Sequence, residues 1–186
     1  MMKKFLALVL ALLMALSLVA CGNDAAPADD AAAFGDNVIK IGVFEPSTGD
    51  SAAGGKKEIL GMQFANAETP TVTIGGTEYT IELVIADNGS STDKAPSAAS
   101  ELVAKGVSLV LGSYGSGVSM AAGPIFNDAG LAAMGVTCTN PNVTAGNDYY
   151  FRICFLDNFQ ADVLANFAMD KFGAKVAYCL GENGNE

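Results

Sequence analysis

Two short polar segments of the sequence carry the groups best suited to bind a small charged molecule. The first is the glycine-rich turn at residues 112–117, GSYGSG, which contains Ser116 and Gly117. A short apolar run precedes this turn, and a helical pattern begins at Val118. Backbone N–H groups at a helix N-terminus have no partner within the helix and attract anions. We therefore predict that Ser116 receives an anionic group of a small solute.

The second polar segment, residues 136–147, follows another short apolar run. It contains Thr137 and Thr139, whose hydroxyl groups, like the backbone carbonyl oxygens of the loop, can accept hydrogen bonds. Ligands of open α/β sheets bind at the carboxyl ends of the strands, where such a loop would lie. A simpler explanation stays open for each segment: Ser116 caps its helix, and the two threonines satisfy backbone groups of their own loop.

The rest of the sequence alternates apolar runs of strand length with segments of helical periodicity. The first predicted helix runs from about Ser51 or Lys56 to Glu68, and Leu60, Phe64 and Ala67 recur in it at the spacing of one buried face. Further helices are predicted at about 92–105, 118–129 and 158–172, and strands at 38–44, 79–86, 107–111, 131–135, 149–154 and 175–180, with a hairpin at Gly75 and Gly76. This order predicts an α/β fold with a doubly wound parallel sheet and right-handed crossovers.

The composition removes several classes of function. The chain has no histidine, which excludes Ser-His-Asp and Cys-His catalysis and histidine-bearing metal sites. A hydrolase that used Ser116 or Cys138 as nucleophile would need a lysine base, and no lysine lies near either motif in the sequence. The formal charge of −10 would repel the phosphates of a nucleic acid. We expect no catalysis, no metal, no cofactor and no nucleic-acid partner.

The N-terminus has the layout of an export signal. Residues 1–20 contain Lys3 and Lys4 followed by an apolar run, as a secretory signal peptide does. Residues 18–22, LVACG, resemble the lipobox of bacterial lipoproteins, which implies cleavage before Cys21 and lipidation of its thiol. A plain export signal followed by an incidental cysteine is the alternative. Residues 21–36 are small and acidic and are predicted to form a flexible tether. The expected location is the extracytoplasmic face of a bacterial cell membrane, with the lipid as anchor.

Several blocks of the sequence resemble one known family when they are taken in order. These blocks are IKIGVFEPSTGD, IELVIADNGS, VSLVLGSYGSGVSMAA, DAGLAAMGVTCTNP and YYFRICFLDNFQA. Over nearly all of residues 38–180 the chain is similar to the leucine/isoleucine/valine-type amino-acid binding proteins, the substrate receptors of ABC importers. The resemblance implies a Rossmann-like lobe of a type I periplasmic binding protein. Two such lobes would close around an amino acid and deliver it to a permease and ATPase complex. A sensory lipoprotein of the same fold, which feeds a signalling receptor, remains the alternative.

The resemblance also implies roles for the two polar segments. The family's carboxylate-binding serine falls on Ser116, beside Gly117. The segment whose backbone carbonyl and threonine hydroxyl bind the α-ammonium group falls on Thr137, Cys138 and Thr139. One loop would then offer N–H groups and a hydroxyl to the anion, and the other would offer oxygens to the cation. Each charge-assisted hydrogen bond of this kind contributes roughly 1.5–3 kcal/mol.

The expected domain organisation follows from the same resemblance. Residues 37–156 would form the first ligand-binding lobe, and residues 157–186 would begin a second lobe that the sequence does not complete. The sequence departs from the family at Gly54, where many members place an aromatic residue against the side chain of the ligand. The resemblance therefore leaves the preferred amino acid open.

Overall fold

The computed structural model of the protein describes residues 37–181. The predicted signal peptide, Cys21 and the predicted tether all lie outside this range. The strands are β1 (Val38–Glu45), β2 (Thr71–Ile74), β3 (Thr77–Asp87), β4 (Leu109–Leu111), β5 (Ala133–Gly135) and β6 (Tyr150–Arg152). The α-helices are α1 (Ala52–Glu68), α2 (Ala95–Ala104), α3 (Ser116–Asp128) and α4 (Asp157–Phe172), and a short 3-10 helix covers Pro141–Val143.

The strands form one mostly parallel sheet with β1 near its centre. The spatial order is β2-β3-β1-β4-β5-β6, and only the β2–β3 hairpin is antiparallel. In the β1–β3 register Val43 lies opposite Ile85, and in the β1–β4 register it lies opposite Leu111. Strand β1 lies between β3 and β4, neither of which follows it directly in the sequence. The alternating pattern predicts such crossovers for a doubly wound sheet. The predicted fold class is therefore confirmed.

The main core lies where α2 and α3 cover one face of the sheet. Alternate strand residues point to this face, among them the fully buried Phe44 of β1 and Val110 of β4. The Phe44 ring packs edge-on against Phe126 of α3 with 5.6 Å between ring centroids, and Phe126 lies 6.2 Å from the Tyr150 ring. Because aromatic rings bury large apolar areas, this cluster ties β1, α3 and β6 together.

Helix α1 covers the opposite face, but with different residues from those predicted. Leu60 and Phe64 are 65% and 63% exposed, so the expectation that they face the core is wrong. The buried residues of the helix are Gly55 and Ile59. A β-carbon at Gly55 would lie 2.3 Å from the Pro46 carbonyl oxygen, so the helix begins in tight contact with the loop after β1. This contact turns the side of α1 that carries Gly55 and Ile59 toward the sheet. The side that carries Leu60 and Phe64 therefore faces outward.

An open groove remains between α1 and the sheet. It has a volume of about 580 Å³. Its walls are mainly apolar and come from α1, from four strands of the sheet and from the segments that follow β5 and β6; they include Met62, Ile41, Leu83, Leu111, Met134 and Ile153. The sheet is therefore covered less completely on this face than on the face that α2 and α3 occupy.

The C-terminal part of the described chain contains one correct and one wrong prediction. Helix α4 ends at Phe172 and is capped by Gly173, whose φ of 60° is left-handed, as expected for a glycine after a helix C-terminus. The strand predicted at residues 175–180 does not form, and its apolar side chains Val176 and Tyr178 are 76% and 98% exposed. Within residues 37–181 no strand lies beside this segment to complete its hydrogen bonds.

None of the helices described is long and apolar enough to span a membrane.

Replacing Phe126 with alanine is expected to lower the free energy of unfolding by about 3–5 kcal/mol, because a buried ring is removed and a cavity remains. Urea denaturation followed by circular dichroism measures this loss. The matched control is Phe64→Ala, which changes an exposed ring and should cost roughly 0.5 kcal/mol or less. Equal losses in the two variants would contradict the burial of Phe126 and the exposure of Phe64.

Candidate functional site

The carboxyl ends of the parallel strands bring the two predicted polar segments together. Helix α3 begins at Ser116, just after β4, and Thr137 follows β5 by two residues. Ser116 is 7% exposed, and its Oγ accepts a hydrogen bond of 3.2 Å from the backbone N–H of Asn140. This bond joins the start of α3 directly to the loop after β5. Because a hydroxyl can also donate, the proton of Ser116 stays available to an acceptor.

A sharp turn after β4 places Ser116 at this edge. Gly112 has a φ of +118°, and a β-carbon there would lie 2.2 Å from the Phe44 carbonyl oxygen. Only glycine accommodates both this conformation and this close approach. The hydroxyl of Tyr150 donates a 3.0 Å hydrogen bond to the Gly112 carbonyl, and the buried Ser113 hydroxyl accepts one of 2.9 Å from Asn88. These contacts fix the turn from several sides.

Residues 137–139 have three different environments. Thr137 is exposed, and its hydroxyl donates a 2.5 Å hydrogen bond to Oε1 of Glu58 in α1. Cys138 is buried, and its carbonyl already accepts a 2.9 Å hydrogen bond from Arg152. Thr139 is half-buried, and within residues 37–181 its hydroxyl forms no hydrogen bond. Thr139 is thus the residue of the three whose side chain is most available to a ligand.

The Cys138 thiol is unsuited to nucleophilic chemistry. Burial raises its pKa from 9.0 to about 11, so that it stays protonated at neutral pH. The thiolate, not the thiol, is the reactive form. Among the described residues, no group of three or more histidine, cysteine, aspartate or glutamate side chains is arranged to hold a metal ion.

The first loop after β1 is held by Asp87 at the end of β3. Its carboxylate accepts hydrogen bonds from the Ser47, Thr48 and Gly89 backbone N–H groups, at 2.8, 3.2 and 2.9 Å, and from the Thr48 hydroxyl at 2.7 Å. Partial burial opposes ionisation of Asp87, but these hydrogen bonds outweigh it and hold its pKa below the ordinary value. The loop is therefore fixed at its base before it enters α1.

The position of Gly54 is filled from another loop. A β-carbon at Gly54 would lie 2.5 Å from ring atoms of Tyr114, which follows β4. The Tyr114 ring is 39% exposed and lies over the start of α1. An aromatic side chain thus lies beside residue 54 although the residue itself is glycine. Sequence reasoning missed this contact because Gly54 and Tyr114 are sixty residues apart.

Sequence reasoning also missed two carboxyl groups at this edge. Glu45, the last residue of β1, is fully buried, and its Oε2 accepts a 2.8 Å hydrogen bond from the Tyr114 backbone N–H. Burial, together with the neighbouring Glu58 carboxyl, raises the pKa of Glu45 from 4.5 to about 9. The sequence did contain a signal for Glu45: a charged residue stands at the carboxyl end of an apolar central strand. Ligand sites of parallel sheets lie at that end of the strands.

A family model described as Periplasmic binding protein matches residues 38–186. The chain belongs to the periplasmic binding protein family. This membership confirms the predicted family and supports both a binding role and an extracytoplasmic location. The family model describes binding proteins, which agrees with the expectation that the chain is not an enzyme.

Named relatives and solved structures agree with this family. Leu/Ile/Val-binding protein homolog 3 of Brucella melitensis is 30% identical over 154 residues, which cover 82% of this chain and 41% of the relative. A crystal structure of the leucine-binding protein LivK from Thermotoga maritima matches with a TM-score of 0.68 and 34% identity, over 74% of this chain and 39% of that protein. LivJ from Streptococcus pneumoniae, a branched-chain amino acid transporter substrate-binding protein solved with isoleucine, matches with a TM-score of 0.66 and 33% identity, over the same two shares. The chain thus spans about two fifths of the length of these relatives.

The raised pKa of Glu45 predicts how the stability of the protein depends on pH. The unfolded chain releases this proton near pH 4.5 and the folded protein near pH 9, so the folded state binds more protons between these values. The free energy of unfolding should therefore fall as the pH rises through this window, by about 1.4 kcal/mol per pH unit. Glu45→Gln removes this contribution, so its stability relative to wild type should increase from pH 5 to pH 9.

Urea denaturation at pH 5, 7 and 9 provides the measurement. Glu101→Gln is the matched control, since Glu101 lies on the exposed side of α2 and its replacement should shift stability equally at each pH. If the free energies of unfolding of Glu45→Gln and wild type differ by the same amount at all three pH values, Glu45 does not hold a proton in the folded protein.

Proposed function

We propose that this chain is part of the substrate-binding lipoprotein of an ABC importer that captures a branched-chain or related amino acid outside the cytoplasm. In this proposal residues 37–156 form its first ligand-binding lobe and residues 157–186 begin the second. The observation that carries the proposal is the hydrogen bond between Ser116 and Asn140, since it joins the two predicted halves of the site at the carboxyl edge of the sheet. A relative of 33% identity that was solved with isoleucine supports this choice of ligand class.

The two halves of the site suit the two charges of an amino acid. The N-terminus of α3 carries partial positive charge, and the proton of Ser116 and the N–H of Gly117 lie at its first turn, where a carboxylate is favoured. The carbonyl of Thr137 and the free hydroxyl of Thr139 would accept hydrogen bonds from the α-ammonium group. Cys138 contributes by position alone, since its carbonyl is taken by Arg152 and its thiol is buried.

The aromatic contact expected near the side chain of the ligand would come from Tyr114. Its ring lies beside Gly54, next to the start of α1, and is partly exposed. A flat apolar ring in this place would contact an aliphatic or aromatic side chain of the bound amino acid. In this protein the small residue at position 54 would therefore allow Tyr114, not residue 54 itself, to form the side-chain pocket.

Delivery to the membrane would require closure and an anchor. A ligand at an exposed edge of one lobe is covered on one side only, and a second lobe would enclose it. We propose that the signal peptide at residues 1–20 is removed, that lipid is attached to Cys21, and that residues 21–36 tether the lobe to the membrane. The partners in this proposal are the permease and ATPase complex that accepts the amino acid.

Ser116→Ala should weaken the binding of leucine, isoleucine or valine by roughly 10-fold to 150-fold, because a charge-assisted hydrogen bond of about 1.5–3 kcal/mol is lost. Isothermal titration calorimetry of the full-length gene product with each amino acid measures this change. The control is Ser100→Ala, which removes an exposed hydroxyl on α2 that bonds only to the Pro96 carbonyl. An unchanged affinity in Ser116→Ala would overturn the assignment of the carboxylate site.

Cys21→Ser should release the protein from the membrane, because the thiol that would carry the lipid anchor is absent. Fractionation of the bacterial host into membrane and soluble material, followed by immunoblotting, measures the distribution. Cys179→Ser is the matched control and should stay with the membrane. If Cys21→Ser stays with the membrane at the same processed size as Cys179→Ser, the proposed lipid anchor is wrong.

A further inference from the structure

Two carboxyl groups meet behind the predicted ligand site. Glu45 ends β1 and is fully buried, and its Oε2 accepts the hydrogen bond from the Tyr114 backbone. Its other oxygen, Oε1, is also buried and has no hydrogen-bond donor among the residues described. Gly112 closes that side, because a β-carbon there would lie 2.6 Å from this oxygen.

Glu58 of α1 has a matching arrangement. Its Oε1 accepts the hydrogen bond from the Thr137 hydroxyl, and its Oε2 is buried with no hydrogen-bond donor in the described part of the chain. The Glu45 side chain interacts with Glu58. Each residue therefore has one oxygen bound to a fixed donor and one oxygen without a donor. A single proton between the two carboxyl groups satisfies both free oxygens, whereas two ionised carboxylates would repel each other in a buried place.

We propose that Glu45 and Glu58 share one proton and that this pair is a positioning device for Thr137 in the ligand site. The inference rests on the proposed function, in which the Thr137 carbonyl binds the α-ammonium group. Glu45 donates its proton to Oε2 of Glu58, and Oε1 of Glu58 accepts the hydrogen bond from Thr137. The pair thus connects β1, α1 and the loop after β5 through one line of hydrogen bonds.

Loss of the shared proton would break this line. With Glu45 ionised, the two carboxylates repel, and Glu58 moves away from β1 together with the Thr137 hydroxyl that it holds. Among the described residues, the phenol of Tyr150 on β6 also faces Glu45, and burial raises its pKa so that it remains neutral over the same range. Within residues 37–181 no lysine or arginine forms an ion pair with either carboxyl group. The proton is therefore what keeps the two groups together.

The decisive variant is Glu45→Gln. A glutamine amide keeps an oxygen for the Tyr114 N–H and offers an N–H to Glu58, so it imitates the protonated acid but cannot lose its proton. Leucine affinity is measured by calorimetry on the full-length gene product from pH 7 to pH 10, for wild type, Glu45→Gln and the control Glu101→Gln. The ammonium group of leucine titrates in the same alkaline range and affects all three proteins equally. The measured quantity is therefore the ratio of each variant's affinity to that of wild type.

We expect Glu45→Gln to match wild type within about threefold at pH 7 and to bind leucine about tenfold more tightly than wild type at pH 10, one unit above the pKa of Glu45. The ratio for Glu101→Gln should stay constant. A constant ratio for Glu45→Gln would overturn the proposal.

A second readout separates this proposal from the proposed function. The γ-methyl NMR signal of Thr137, recorded without ligand, should shift with a midpoint near pH 9 in wild type and stay fixed in Glu45→Gln. A signal that does not move in wild type would overturn the link between the pair and Thr137. If wild type binds none of the three branched-chain amino acids at pH 7, the proposed function and the ligand role of the pair both fail, whereas a moving Thr137 signal would still support the shared proton.

Discussion

The close approach of Gly112 to the end of β1 is the constraint on which this edge of the sheet depends. Because no side chain separates Gly112 from the Phe44 carbonyl, the chain leaving β4 turns directly over the end of its neighbour. That turn brings the Tyr114 N–H to Glu45 and sets the position where α3 begins. A larger residue at 112 would displace the start of α3 and with it every group that we assign to the anionic end of the ligand.

The two faces of the sheet differ in how completely they are covered. Helices α2 and α3 bury one face around Phe44 and Phe126, with Gly42 allowing Leu102 of α2 to approach β1 closely. Helix α1 covers only part of the other face and leaves the apolar groove beside it. Parallel sheets normally have both faces covered. In residues 37–181 one face of the sheet is thus fully covered by helices, and the other face is covered only in part.

Much of the fold could be predicted from local patterns, but the contacts between distant residues could not. Apolar runs and glycine stops correctly placed the strands β1 to β6 and the end of α4, because these signals act within a few residues. The buried side of α1 was wrong because the contact of Gly55 with Pro46, and not the apolar periodicity, sets the rotation of the helix. The strand at 175–180 was wrong because a strand forms only where a partner lies beside it.

The candidate site shows the same division. Ser116 and the loop after β5 were found because glycine-rich turns and polar loops are visible in sequence, and the structure brings them into contact. The meeting of Glu45 with Glu58, and of Tyr114 with Gly54, depends on how β1, α1 and the turn after β4 pack, which no single segment specifies.

The hydrogen bond from Asn140 to Ser116 has a consequence for the thermodynamics of association. It is already formed without a ligand, so the two loops are ordered relative to each other when the lobe folds. A molecule that arrives at this edge would not have to supply the conformational entropy of bringing them together, and more of the interaction energy would appear as affinity. Pre-organisation of this lobe would leave the movement of a second lobe as the main conformational cost of capture.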